Sequence, residues 1–481
     1  MHRPESLESH GIGFIRAMPG GLFGHTALAA CDEDVRRAGD ARKYVVTANG
    51  ALAGHTVHAP VSEDGCERAS TVAGSRIPSM GSKANAIFAV PQARHALLVT
   101  PDRDETARQD FVRSFKAYIQ SGIVPGVHAV YHHEVKPAFE RREGRAPKDR
   151  HEIRDLMVEH PLFRTYASMQ RVSQELLWDT VLDSVERELP ELVQHAASAG
   201  QTRQSPHSAA RLGSLTLDPA LPLPNYVTGV DIHCMPGGYA RDAGHGDVAA
   251  GALYDRGVYI YALGMMGPMN DDIGGSAAKF IRDHYPDFKP RRILDMGCTV
   301  GHSTLPFVDA FPDAEVHAID VGAALLRYAH GRAESLGKRV HFSQQDATRT
   351  NFPDGHFDLV CSSILFHETS GKALPAILRE CFRLLAPGGI AVHGDLPPFW
   401  AMDEFNQFML DCETYYNNEP YWGAMREVDQ IEQSVKAGFR RENIEFRMAA
   451  SAYRAAAGVD RSFEAGEFAP GNAWQVLVTR K

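Results

Sequence analysis

Arg291 to Asp320 reads R-R-I-L-D-M-G-C-T-V-G-H-S-T-L-P-F-V-D-A-F-P-D-A-E-V-H-A-I-D, and the rest of the chain is organised around it. Ile293 and Leu294 form a short apolar run that ends in Asp295, the pattern of a buried parallel strand. A turn bearing Gly297 and Gly301 follows, and Ser303 to Phe311 reads as a helix. Val316 to Ile319 is a second apolar run, closed by Asp320. The unit is strand, loop, helix, strand, with an acidic residue at the carboxyl edge of each strand. Open α/β sheets bind their ligands at that edge.

A nicotinamide dinucleotide asks for G-x-G-x-x-G, with its pyrophosphate on the helix N-terminus. The corresponding positions hold Gly297, Thr299 and His302, so two of the three glycines are absent. The stretch instead resembles the D/E-x-G-x-G-x-G loop of class I S-adenosylmethionine-dependent methyltransferases, with Thr299 at the middle glycine. Downstream elements follow in that family's order. Gly322 to Leu336 reads as a helix, and Val340-His341-Phe342 begins a third strand leading to Gln344-Gln345-Asp346-Ala347. Phe352 to Asp358 resembles the family's P-F-x-D-x-x-F-D passage into a fourth strand, Leu359 to Ser362. The helix Leu374 to Leu385 and the run L-L-A-P-G-G-I-A-V-H-G-D resemble its fifth-strand signature. Ile444 to Met448 and Trp474 to Thr479 would be the final antiparallel pair.

The resemblance covers residues 275 to 481 or thereabouts. It implies an α/β fold, a doubly wound seven-stranded sheet at the C-terminal end, with S-adenosyl-L-methionine as cofactor. It also implies the contacts. Asp320, with Val321, would hold the ribose hydroxyls, since a carboxylate accepts two hydrogen bonds. Asp346 would accept from the adenine amine, and the backbone of Ala347 would meet the ring. Ile364 or Leu365 would pack on the ring after the fourth strand, and Ser362 belongs to the same cofactor set. Asp295, Gly297 and Gly301 would border the methionine end.

The whole chain has 481 residues, 44% hydrophobic and 23% charged, enough for two or three globular domains. A net charge of −10 does not favour a nucleic-acid groove. Seven cysteines are scattered without a C-x-x-C pair, which predicts reduced thiols and a cytoplasmic protein. No apolar run reaches the length of a membrane span. Leu28-Ala29-Ala30-Cys31 looks like a lipoprotein cleavage site, but the glutamates, prolines and glycines before it make a poor signal core.

Residues 1–100 carry no recognised motif and show β-like runs at Tyr44 to Thr47, Ala86 to Val90 and Ala96 to Thr100. Residues 101–220 read as mostly helical with a linker. Asp102 to Ser121 is a helix whose inner face would hold Phe111, Phe115, Tyr118 and Ile119. Gly126 breaks it, and Val127 to Tyr131 reads as a strand. Asp149 to Glu159 and the long amphipathic Phe163 to Arg187 are further helices, with Pro190 ending the second. The apolar face of that helix should be covered, by the cofactor domain or by a second copy in a homodimer. Ala196 to Ser214 reads as a linker. His128, His132, His133 and Glu134 match no ligand spacing among 23 histidines, so no metal site is assigned.

Residues 221–270 form a second chemical-looking stretch, Leu221 to Tyr261, in which Asp231, His233 and Tyr239 accompany a Pro236-Gly237-Gly238 turn. Directly upstream of the cofactor domain at 271–481, it reads as a lid over the active site or as a plain connector. His367 and Glu368 follow the fourth strand and are candidates for a general base; Asp231, His233 and Tyr239 are the alternative set. Asp411, Tyr415, Tyr416, Asn417 and Asn418 lie in an insertion facing the same edge. These readings converge on methyl transfer to a small-molecule acceptor, in specialised metabolism, without nucleic acid or membrane as partner. Two alternatives stand beside it: a non-catalytic cofactor-binding subunit, and a bifunctional protein with a second, metal-dependent activity in residues 1–220.

Overall fold

Asp102 starts the described helices as a capping box: its side chain accepts from the Glu105 backbone, and Glu105 returns the bond to the Asp102 N–H. The computed structural model describes residues 91–198, 212–457 and 473–481. The β-like runs at Tyr44 to Thr47 and Ala86 to Val90, and the cleavage-site look-alike at 28–31, lie outside the described residues. Helix α1 (Arg103–Tyr118) continues through a π-helical turn (Ile119–Ile123) into α2 (Val124–Val130), a second π turn (Tyr131–Val135) and α3 (Lys136–Glu143). Val127 to Tyr131 is therefore helical, not a strand. Val124, Val127 and Val130 recur at helical spacing and pack with Phe163 and Phe405, so burial overrides their β-propensity. Ala96 to Thr100 is a turn and extended chain without a ladder.

The inner face of α1 also differs from expectation. Phe111 and Tyr118 are exposed, and the buried side carries Glu105, Gln109, Val112 and Lys116. Those polar groups are all partnered on the next long helix. Glu105 accepts from Arg187, Gln109 donates to the Thr180 carbonyl, and Lys116 donates to Gln174.

After α4 (Arg150–Met157), helix α5 runs unbroken from Pro161 to Ser198 with Pro190 inside it. Phe163, Tyr166, Leu177, Trp178, Val181 and Val185 are buried along it, covered within the chain itself. The C-terminal part of the presumed linker is structured too: β1 (Ser214–Thr216) joins the sheet. A short helix α6 (Asn225–Thr228) and two 3₁₀ turns lead to α7 (Ala249–Tyr261) and α8 (Asp272–His284).

The sheet then forms. Its parallel strands are β2 (Arg292–Met296), β3 (Glu315–Asp320), β4 (His341–Gln344), β5 (Phe357–Ser363) and β6 (Leu385–Asp395). Helices α9 (Leu305–Ala310), α10 (Ala323–Ser335) and α11 (Ala373–Leu384) connect them. Beyond β6 come α12 (Glu404–Tyr416), α13 (Trp422–Glu427), α14 (Gln430–Ala437), β7 (Ile444–Ala450), α15 (Ala452–Ala457) and β8 (Ala473–Arg480). The strand order is β1-β4-β3-β2-β5-β6-β8-β7, eight strands where seven were expected, with β8 antiparallel to both neighbours. The extra strand is β1, parallel to β4 at the edge. Order reverses at β2, whose Ile293, Leu294 and Met296 are wholly buried, so the ligand crevice belongs at its carboxyl end.

Helix α7 lies between α5 and α10 at close range. A Cβ at Gly257 would meet the Trp178 ring at 2.2 Å, and one at Gly251 would meet Tyr328 at 2.3 Å. Between them sits Asp255, 1% exposed. His95 and His302 contact its carboxylate at 2.9 and 2.8 Å, and Tyr328 donates at 2.9 Å. Gln92 donates at 3.0 Å, and the Arg332 guanidinium stands at 3.6 Å. Burial raises the carboxyl, but these donors and charges outweigh it and hold Asp255 well below the ordinary carboxylate range. Burial keeps His302 below its usual range, so it donates to Asp255 as a neutral ring. Because the folded state binds the Asp255 proton less tightly than the unfolded chain, its contribution is present above pH 3.8 and fades as pH falls below that. Asp255→Asn, which strands Arg332 without a counter-charge, is expected to cost about 3 kcal/mol at pH 7. Urea unfolding at pH 7 and near pH 3 checks this, with the gap to wild type narrowing at the lower pH.

Candidate active site

The cavity at the carboxyl edge of β2 and β3 begins where the backbone is least relaxed. Gly297 and Gly301 have positive φ, and so does Thr299 at +44°, in the conformation a glycine would take without cost. One hydrogen bond holds Thr299 there: its N–H donates to Asp320 Oδ2 at 2.9 Å, and Tyr254 on α7 lines the same cavity. His302, at the other departure from the glycine pattern, is held by Asp255 on the same helix. His233, Asn270, Thr299 and Ile364 all line the cavity with positive φ, concentrating backbone strain around it.

Of the residues assigned to the cofactor, Gly297, Asp320, Val321, Ala347 and Leu365 line the cavity. Asp320 also accepts from the Gly322 N–H at 2.9 Å, which leaves each carboxylate oxygen a further lone pair. Burial raises its pKa. The remaining assigned residues do not line it. Asp295 is turned to Thr304, whose hydroxyl donates at 2.6 Å, and burial pushes its carboxyl up to about 7. Asp346 accepts from the Thr348 N–H in a turn, while its neighbour Gln345 lines the wall. Ser362 faces away to His393 at 2.8 Å, because strand side chains alternate; Ser363 lines the cavity instead. The Gly301 carbonyl accepts from Arg332.

The acceptor candidates divide in the same way. Asp231 is exposed and absent from the wall; its carbonyl accepts from the Cys234 N–H and from Asn418. His233, Tyr239, His367 and Glu368 all line the cavity, so the two alternative sets form one site. Tyr239 donates to Glu368 Oε1 at 2.9 Å, and His233 Nε2 meets the same oxygen at 2.9 Å. Burial raises Glu368, but His233 beside it prevails and holds it below the carboxylate range. Burial lowers His233, yet Glu419 and Glu368 carry it well above the imidazole range. Tyr239 is pushed well up by burial and by Glu368.

His233 is itself positioned from the N-terminal helices. Its carbonyl accepts from Trp178 Nε1 at 2.6 Å and from Gln174 at 2.8 Å, both on α5. Trp178 lines the cavity as well. In the insertion, Asn417 donates to Tyr261 and to Glu419, while Asp411 pairs with Arg150 away from the cavity. His128 packs edge-on against Phe405, and His132 and His133 are exposed, so that histidine group does not converge.

Three residues of this site went unassigned in the sequence. Glu419 lies one residue past the insertion's polar-aromatic set and meets His233 Nδ1 at 3.0 Å. Asp395 ends β6 as Asp320 ends β3, and accepts from His367 Nδ1 at 2.7 Å and from the Phe366 N–H. Its place at a strand's carboxyl edge was the available signal. Asp255 had none, since its partners lie at 92, 95, 302, 328 and 332.

Residues 293–389 match the family model described as a methyltransferase domain. The chain is 38% identical over 109 residues to the demethylmenaquinone methyltransferase of Thermus thermophilus, covering 23% of this chain and 49% of that protein. It is 34% identical over 109 residues to the malonyl-[acyl-carrier protein] O-methyltransferase of Halorhodospira halophila, covering 23% and 36%. It is 29% identical over 177 residues to the ajmaline N-methyltransferase of Rauvolfia serpentina, covering 31% and 60%. The chain thus spans less than two thirds of each of these relatives. Among the described residues no helix is long and apolar enough to cross a membrane. With its sheet order, its glycine-bearing loop and this match together, the C-terminal part of the chain belongs to the class I S-adenosylmethionine-dependent methyltransferases.

Proposed function

We propose that this chain methylates a small-molecule acceptor held between the Asp320 edge of the cavity and the cluster formed by Glu368, His233 and Tyr239. One observation carries the reading: a single cavity is lined both by Asp320 and Val321 and by those three side chains. The residues present fit S-adenosylmethionine. Asp320 keeps free lone pairs for a vicinal diol, and Leu365, Ala347 and Tyr226 offer apolar flanks for a ring. When bound, that cofactor supplies a methyl group already activated on a sulfonium.

The protein's task is then orientation, exclusion of water and care of the acceptor's proton. Glu368 is held as a carboxylate by two converging donors, so a polar acceptor hydrogen finds an acceptor fixed in place. Tyr239 and His233 limit how that acceptor can lie. Trp178, Tyr254, Tyr261 and Ile273 close the remaining wall with apolar surface. The wall is mostly apolar and carries several Trp and Tyr rings, which suits an acceptor with a flat or apolar body carrying one reactive polar atom. Residues 221–270 select the acceptor in this reading, and the strand ends hold the cofactor.

Asp320→Ala is expected to weaken S-adenosylmethionine binding by roughly 1.5–3 kcal/mol, the range for hydrogen bonds to a charged group. Calorimetry on the folded variant checks this, and unchanged affinity would remove Asp320 from the cofactor site. Tyr239→Phe and His233→Ala should instead lower turnover while leaving cofactor affinity close to wild type, because uniform loss of binding and loss of a reacting-atom contact separate in the kinetics. Methyl transfer from labelled cofactor, screened over hydroxyl- and amine-bearing aromatic acceptors, supplies the assay. Parallel loss of both quantities would contradict the division of the cavity into two ends.

A further inference from the structure

At the cavity wall three electron-pair acceptors face one another, and of them only Glu368 Oε1 receives donors, from Tyr239 and His233. His367 gives its Nδ1 proton to Asp395 at 2.7 Å, which leaves the Nε2 lone pair pointing inward. That Nε2 lies 3.6 Å from Glu368 Oε1 and 3.7 Å from Glu419 Oε2. Neither His367 Nε2 nor Glu419 Oε2 has a hydrogen-bond partner, and both side chains are at most 1% exposed. Leaving such groups buried and unsatisfied is costly. Beside them, His233, Glu368 and Glu419 each offer one ligand atom, all within 4.8 Å of one another.

We infer that His367, Glu368, Glu419 and His233 form a binding site for a divalent first-row transition metal ion. Bonds of about 2.0–2.2 Å set the donors of one ion roughly 2.9–3.6 Å apart, close to the 3.6 and 3.7 Å spacings around His367 Nε2. Two imidazoles and two carboxylates suit zinc, iron(II) or manganese(II) better than calcium or magnesium. Asp395 completes the arrangement as the outer carboxylate that fixes the tautomer of a ligating histidine. The Phe366 and Leu396 N–H groups in turn hold Asp395 at 2.8 and 2.7 Å. His233 reaches the cluster in a strained conformation, φ +57°, fixed by the two α5 donors to its carbonyl. Metal binding would release any proton His233 shares between the two glutamates.

The site stands apart from the methyl-transfer reading, since metal content can be measured without an acceptor. Resting on that reading is only its use: His233, His367 and Glu368 line the cavity, so an ion there takes an acceptor's oxygen as a further ligand.

The test uses the full chain, stripped with a chelator and dialysed against zinc(II), manganese(II) or cobalt(II) in turn. Elemental mass spectrometry after desalting should find about one ion per chain for at least one of them. Cobalt(II) should develop visible absorption bands, and zinc(II) should raise Tm. Glu419→Gln keeps the side-chain shape and should lose most of the bound metal, the cobalt bands and the Tm rise, as should His367→Ala; near-ultraviolet circular dichroism verifies that both variants fold. Absence of bound metal in the wild type at saturating concentrations would overturn the proposal and assign the gap to a proton on His367. Binding that survives both substitutions would overturn it too, placing the metal elsewhere in this histidine-rich chain.

Discussion

A buried aspartate in an upstream helix decides where everything else in this protein can stand. Asp255 draws His95, Gln92, His302, Tyr328 and Arg332 onto one carboxylate. Those residues come from the segment before α1, from the cofactor loop and from α10. A desolvated charge is tolerable only when it is fully hydrogen-bonded and balanced. Each partner is thereby committed, and the helices before the sheet cannot shift against the loop without breaking the set. Glycine positions on α7 allow the same closeness sterically, since Trp178 and Tyr328 occupy the space that side chains at 257 and 251 would need.

The departures of the loop from the family's glycine pattern have the same origin. Thr299 and His302 stand where glycines would be expected in one pattern or another. Both are contacted by consecutive residues of α7, Tyr254 and Asp255. A glycine offers no side chain to such a neighbour. Positive φ at Thr299 carries a conformational cost of about 1–3 kcal/mol, which its hydrogen bond to the Asp320 carboxylate offsets in part. Thr299 is thus a feature of a loop that is covered from above, and says nothing against cofactor binding.

How much of this was legible in the sequence follows from the range of the interactions involved. Strands β2 and β3 could be read because each is a short apolar run with an acid at its carboxyl edge, a signal contained within a few residues. Asp320, Val321, Ala347 and Leu365 followed from the family resemblance and line the cavity. Ser362 failed by the two-residue alternation of a strand, which points it to His393 and its successor to the cavity. Val127 to Tyr131 failed because β-branched composition competes with helical spacing, and packing against α12 decides between them. On α1, Phe111 and Tyr118 proved exposed while Ile119 is buried, because Glu105, Gln109 and Lys116 find partners on α5, a pairing that no local pattern announces. Glu419 and Asp395 belong to this class as well: their meaning depends on residues 28 to 186 positions away.

The same reasoning explains why the acceptor end is built from distant pieces. Strand ends and the loop between them must hold a cofactor of fixed shape, so their residues are constrained locally. On the function proposed above, selectivity comes from elements that can vary independently, and three of them meet at the cavity. The segment at 231–239 brings His233 and Tyr239, the turn after β5 brings His367 and Glu368, and the insertion after α12 brings Asn417 and Glu419. None of these is regular structure able to hold a side chain by itself. Their fixity comes from α5, whose Trp178 and Gln174 clamp the His233 carbonyl, and from Asp395, which ties His367 to the end of β6. A reacting group displaced by an ångström loses much of its effect, so irregular segments serve catalysis only where rigid elements hold them. The long helix in this sense supports the candidate site, although only Trp178 among its residues reaches the cavity wall.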